Sequence, residues 1–261
     1  MDLYFFLDNE EFEPAITVSS FSPSGKLPAK LQDNVFVCFA YPNDAVWLVR
    51  TYKKLTDYSS LTILCTKLNI PREKISSTLI FLTHEKMDGE YSQLPQVFGF
   101  NSMPSWRANL KIIGNGTSVS YQGEMPYVMT KIKTGSIISL VPFIQSSPTI
   151  KNYLFFASFE ANPTGKTGTV EFRNIQSKQT LAKFDVKSNK VNCINLSEIK
   201  SNDGQLLIIA SGIMGIPIFF SVDENGKKMS LEHTMTPSEY AIYGEQDVKR
   251  SMMQRMKAYW S

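Results

Sequence analysis

Ser118, Ser120, Gln122 and Glu124 stand at every second position of TSVSYQGE. On an extended strand this spacing puts two hydroxyls, an amide and a carboxylate in one row, with Val119, Tyr121 and Gly123 on the other face. Such a row suits hydrogen bonding to a sugar or a peptide. Around it, residues 102–127 (SMPSWRANLKIIGNGTSVSYQGEMPY) offer Trp106, Tyr121 and Tyr127 as flat apolar platforms and Arg107 as a bidentate anion clamp. In kind this is the chemistry of a glycan site. The competing reading is a solvated sheet face beside core aromatics.

Acid and base chemistry has few carriers. Hydrolysis by paired carboxylates needs two of them at a set separation, one with its pKa raised by burial, and Glu124, Glu232 and Glu239 could supply such a pair with His233 beside them. His233, Glu232 and Glu239 are also the weak metal candidates, since SLEHTMTPSEY has the donor types but no zinc-signature spacing. Adjacent residues of a strand face opposite ways, so Glu232 and His233 share a pocket only if the strand ends or bulges there. The other histidine, His84, reads as a cation closing a helix. There is no G-x-S-x-G elbow, and NPTGKTG at 162–168 lacks the first glycine of a Walker A loop and precedes a strand, so it reads as a hairpin turn. No cofactor is expected.

Composition bounds the class. With 43% hydrophobic and 20% charged residues the chain is expected to fold, and 27 basic against 24 acidic residues, net +3, is too mild an excess to argue for nucleic acid. The start, MDLYFFLDNEEF, has no basic segment ahead of its apolar run, which argues for a cytoplasmic protein. Cys38, Cys65 and Cys193 lie far apart among apolar neighbours and read as reduced core thiols.

The elements that must position these residues are mostly strands. LYFFL, AITVSSF, VFVCFAY and AVWLVRTY are β-branched and aromatic runs separated by Pro, Gly and Asp. Residues 108–113 and 117–122 read as two strands joined at Gly114-Asn115-Gly116, a hairpin signal, and SIISLVPFI continues the sheet. After Ser146-Ser147-Pro148 come NYLFFASF, GTVEFRN, LAKFDVK, KVNCINL, QLLIIAS, IPIFFSV and KMSLEHT, spaced as in a sandwich. The uncharged run 206–222 is interrupted by Ser211-Gly212 and Gly215-Ile216-Pro217 and is short for a helical span, so it reads as two buried strands in a hairpin.

Between residues 56 and 86 the spacing turns helical. Leu61, Leu64, Cys65 and Leu68 recur at three- and four-residue steps, Pro71 breaks the run, and Ile75, Leu79 and Leu82 resume it. This predicts a helical hairpin covering a sheet. The segment LTILCTKLNIPREKISSTLIFLTHE is similar in its spacing to a helix-turn-helix motif, whose second helix would present Arg72, Lys74, Ser76 and Ser77 to DNA, although no basic wing follows. The tail GEQDVKRSMMQRMKAYWS sets Val248, Met252, Met253, Met256, Tyr259 and Trp260 on one helical side.

The expected fold is mainly β, α+β overall. An N-terminal α+β part spans residues 1–147 with the helical hairpin at about 56–86, an antiparallel β-sandwich spans 148–244, and an amphipathic helix occupies 245–261. The expected function is a non-catalytic binding or assembly module for a carbohydrate or protein partner. The alternative is an enzyme acting on a sugar or related polar metabolite through Glu/His acid-base or metal chemistry. DNA binding through residues 61–85 is the third reading, homo-oligomerisation stays open, and no membrane span is expected.

Overall fold

A computed structural model describes residues 2–19, 35–56, 59–96, 108–131, 136–140, 147–174, 176–197, 199 and 206–233. The first part contributes β1 (Asp2–Phe5), β2 (Glu13–Ser19), β3 (Val35–Asn43), β4 (Val46–Leu55), β5 (Ser60–Leu64), β6 (Leu79–Thr83), β7 (Gly89–Tyr91), β8 (Asn109–Ile113), β9 (Ser118–Gln122), β10 (Met125–Pro126) and β11 (Ser136–Leu140). The second contributes β12 (Ile150–Ser158), β13 (Thr167–Asn174), β14 (Thr180–Lys187), β15 (Lys190–Asn195), β16 (Leu206–Ser211), β17 (Ile216–Asp223) and β18 (Met229–His233). Among the described residues the other regular elements are three 3-10 turns, Cys65–Lys67, Arg72–Ser77 and Tyr127–Lys131. The strands form one six-stranded sheet, β10-β1-β6-β3-β4-β7, and three four-stranded sheets, β5-β2-β8-β9, β15-β12-β17-β18 and β11-β16-β13-β14.

The helical hairpin is not there. Ser60–Leu64 pairs with β2, where Thr62 and Thr17 join hydroxyls at 2.9 Å and Ile63 is fully buried. Arg72–Ser77 is a single 3-10 turn that starts after Pro71 and ends where Thr78 returns to extended backbone and its hydroxyl donates to the Lys74 carbonyl. Leu79–Thr83 is then a central strand between β1 and β3, buried on both faces, so it needs apolar residues at consecutive positions. A short apolar run of that kind mimics helical spacing. The paired helices on which DNA reading rested are therefore absent from the described residues 59–96.

The second part also departs from the expected sandwich. All seven of its runs are strands, and with β11 added from the first part they form two open four-stranded sheets that do not close on each other as a sandwich. In a two-sheet sandwich each sheet keeps one wet face. Here β12 is buried from Asn152 to Ser158 on both faces, and β17 is almost as covered. On one face Tyr153, Phe155 and Phe220 cluster, and Phe12 from the first part meets Phe220 edge-on at 5.6 Å. Leu154 and Phe156, on the other face, are equally inaccessible. The run 206–222 does hold two buried strands, but β16 and β17 belong to different sheets and make no hairpin. The same correction applies to NPTGKTG, which carries the chain from β12 in one sheet to β13 in the other. The proposed helix 245–261 lies outside the described residues.

Buried contacts cross the Ser147-Pro148 boundary at several levels. Phe5 and Phe159 meet at 6.0 Å, the Trp47 indole donates to the Ala161 carbonyl at 2.9 Å, and the Leu94 amide donates to the same carbonyl at 2.8 Å. Trp47 is wholly inaccessible, so its N–H needs a protein acceptor, and Ala161 supplies it. No helix among the described residues is long and apolar enough to cross a membrane.

Candidate functional site

The hairpin that carries the polar row forms as its sequence dictates. Between β8 and β9, the Gly114 amide donates to the Thr117 carbonyl at 3.0 Å and Gly116 takes φ +77°, a conformation that suits glycine. β9 then alternates: Ser118, Ser120 and Gln122 are exposed, and Val119 and Tyr121 are half-buried. Tyr121 lies over Gly123, where an added Cβ would sit 2.8 Å from the ring. Glu124 falls past the end of β9 and is half-buried before β10. β9 is the outermost described strand of its sheet, paired with β8 on one side.

The aromatic half of the expected site is dispersed. Tyr127 is buried in the turn Tyr127–Lys131, its hydroxyl donates to the Leu94 carbonyl at 2.7 Å, and Lys131 sits 5.2 Å from the centre of its ring. Burial pushes the Tyr127 hydroxyl up from its ordinary pKa. That side chain is structural. Trp106, Arg107 and Glu239 lie outside the described residues.

The strand bearing Glu232 and His233 does come close. β18 is the outer strand of its own sheet and runs beside β9, with Cα atoms within 8 Å, although the two share no ladder. The turns that precede them interlock: Asn115 Nδ2 donates to the Asn225 carbonyl at 3.3 Å, and Gly114 leaves room for Met229. Glu232 is exposed opposite Phe219, and His233 pairs in register with Ile218. β18 runs through His233 without a bulge, so the strand break that a shared pocket would need does not precede it. Among the described residues no group of three or more His, Cys, Asp or Glu is placed to hold a metal ion.

Sequence reasoning missed a polar junction beside β12. Arg72 grips Asp8 with two bonds of 2.7 Å, and Lys151 meets both oxygens of Glu11 at 2.9 and 2.8 Å. The Tyr153 hydroxyl donates to Glu11 at 3.2 Å. The Lys151 bond holds the Glu11 carboxyl below its ordinary pKa, against the opposing effect of burial, with Tyr153 adding to the lowering. Burial, then the Glu11 charge and hydrogen bond, push Tyr153 up to about 12, so it serves as a proton-bearing donor. The sequence signal was the acidic run DNEE at 8–11 between two strands, but its partners lie up to 142 positions away.

Cys193 also departs from expectation. Cys38 and Cys65 are buried, whereas Cys193 is exposed on the outer strand β15. Protein packed around its sulfur, together with the carboxylates of Asp8, Glu11 and Glu10, pushes the thiol up to about 12. Exposure lets a reagent arrive; the high pKa leaves little thiolate to attack it. We therefore expect iodoacetamide to label Cys193 of the folded protein at least about tenfold more slowly than a free cysteine at mildly alkaline pH. The rate should climb with further alkali, and Cys38 and Cys65 should react only on unfolding. Labelling as fast as free cysteine would contradict this environment.

What the site around β9 can do is hydrogen-bond a ligand along an exposed strand. Compared with known proteins, the chain matches no family model, no curated protein and no solved structure.

Proposed function

We propose that this chain is a non-catalytic binding or assembly module that takes a protein partner along β9, with a carbohydrate as the other ligand class its polar row could serve. The observation that carries the reading is the exposed row Ser118, Ser120 and Gln122 on the outermost described strand of its sheet. Outer strands recognise extended peptides through main-chain bonds plus alternate side chains. A sugar site would draw on flat aromatic platforms, but Tyr127 is committed to Leu94 and Tyr121 packs over Gly123, which tilts the choice towards protein. Acid-base catalysis finds less support, because β18 holds Glu232 and His233 on an unbroken strand.

The test compares wild type with Ser118→Arg/Ser120→Arg as bait for cellular proteins and on a glycan array. A protein retained by wild type and lost by the variant, with a flat array, is the expected result. Array signal that the variant abolishes would move the reading to carbohydrate. Equal retention by both would remove β9 as the binding strand.

A further inference from the structure

A second outer strand, β14, stands apart from β9 in the sheet β11-β16-β13-β14. Its side chains alternate cleanly: Ala182 and Phe184 are half-buried, Val186 is buried, and Lys183, Asp185 and Lys187 are exposed. Leu181, at 36% relative exposure, is the exposed large hydrophobic among the described residues and belongs to the same strand.

The backbone phase of β14 is set by its pairing with β13. Thr167 faces Lys187, and in the adjoining pair the Ser188 amide donates to the Lys166 carbonyl at 2.9 Å. Residues that bond across a ladder alternate with residues whose N–H and C=O point the other way. Phe184 and Val186 thus point towards β13, and Lys183, Asp185 and Lys187 point outward. Lys187 bears this out, since the Asn192 side-chain amide accepts from its N–H at 2.9 Å and donates to its carbonyl at 2.8 Å, as a neighbouring strand would. Among the described residues no ladder occupies the outward side at Lys183 and Asp185.

We propose that β14 is a self-pairing edge through which two copies of this chain form an antiparallel dimer, with the two-fold axis at Phe184. In that register Lys183 of one copy lies opposite Asp185 of the other, twice by symmetry. Each of these pairs exchanges both backbone bonds, because all four residues point outward. Moving the axis to Lys183 or to Asp185 would set lysine against lysine or aspartate against aspartate, and like charges directly opposite are destabilising. Charge disfavours those two registers, an axis at Ala182 forms no ion pair, and an axis at Val186 is blocked because the outward backbone groups of Lys187 are already bonded to Asn192. The half-buried Phe184 side chains meet at the axis, while the Asn192 bonds at Lys187 end the ladder and keep it short. A short ladder makes a weak, concentration-dependent dimer.

Sedimentation across a wide concentration range tests this. Wild type should show a monomer–dimer equilibrium. Lys183→Asp and Asp185→Lys should each weaken it by about tenfold or more, since each sets like charges opposite at both pairs. The double swap Lys183→Asp/Asp185→Lys should restore it to within about threefold. Asp185→Lys is the cleaner single variant, because Lys183 also faces Glu171 on β13. Unchanged far-ultraviolet circular dichroism and thermal midpoint would show that the variants fold. A wild type that stays monomeric at the highest attainable concentration would overturn the proposal and leave Lys183 and Asp185 as charges that guard an edge against pairing. Single variants that dimerise like wild type, or a double swap that fails to recover, would overturn it equally.

Discussion

Replacing Phe220 with alanine is expected to lower the unfolding free energy by about 3–5 kcal/mol, among the largest single effects available in this chain. The ring is wholly inaccessible and meets Phe12 edge-on at 5.6 Å, and both Tyr153 and Phe155 at 6.0 Å. Its removal takes away the apolar transfer energy of a full aromatic side chain. It also leaves a cavity where β17 faces the chain before β2, because Tyr153 on β12 and Phe12 are held by their own neighbours and can close the gap only in part. Denaturant titration should show the loss in midpoint, and the melting temperature should fall by roughly 10 °C. Leu181→Ala, on an exposed outer strand, should stay within about 0.5 kcal/mol of wild type. A Phe220→Ala loss below about 1 kcal/mol would mean that this face of β17 is not packed as described.

The second large effect is at Asn189. This residue is 4% exposed, and its backbone sits at φ +59° in the turn between β14 and β15. Its amide nitrogen donates to the carbonyls of Asn162 and Pro163 at 2.7 and 2.9 Å, and its side-chain oxygen accepts the Glu160 amide at 2.8 Å. One side chain thus ties the β12–β13 crossover to the β14–β15 turn. Asn189→Ala strips all three bonds, one buried and two part-buried, and puts a residue with no compensating side chain in the left-handed region. We expect a loss of about 3 kcal/mol, dominated by the unsatisfied groups. Asn189→Gly loses the same bonds but relieves the backbone, so it should be about 1 kcal/mol less destabilising than alanine. Equal or reversed losses for the two variants, measured by the same titration, would contradict the role of the positive φ.

These two residues show what the sequence disclosed and what it did not. IPIFFSV was legible as a strand because β-branched and aromatic residues stand between Gly215 and the Asp-Glu-Asn-Gly turn, but nothing local said that both of its faces would be covered. The same blindness turned LIFLT into half of a helical hairpin: a strand buried on both sides and a helix both need consecutive apolar residues, and β6 gained its identity from β1 and β3. LAKFDVK was read correctly because one wet face leaves alternation in the sequence. Sheet membership was hidden, since the turns at 162–168 and 212–215 look like hairpins and act as crossovers between sheets.

The site divides in the same way. The β9 row was legible through its period of two and the Gly114-Asn115-Gly116 turn. That Tyr127 would be spent on the Leu94 carbonyl was not, because the partner lies 33 residues away. The proximity of β18 to β9 depends on two turns 110 positions apart finding each other through Asn115 and Asn225. Such pairings are decided by the tertiary fold, and no window of sequence contains them.

Hydrogen exchange on the chain with and without its retained protein partner tests the binding reading most directly. The account predicts that the partner slows exchange in Ser118–Gln122, with any further protection confined to the neighbouring strand Met229–His233. Protection that leaves β9 unchanged and appears at the Glu11–Lys151 junction or elsewhere would contradict it.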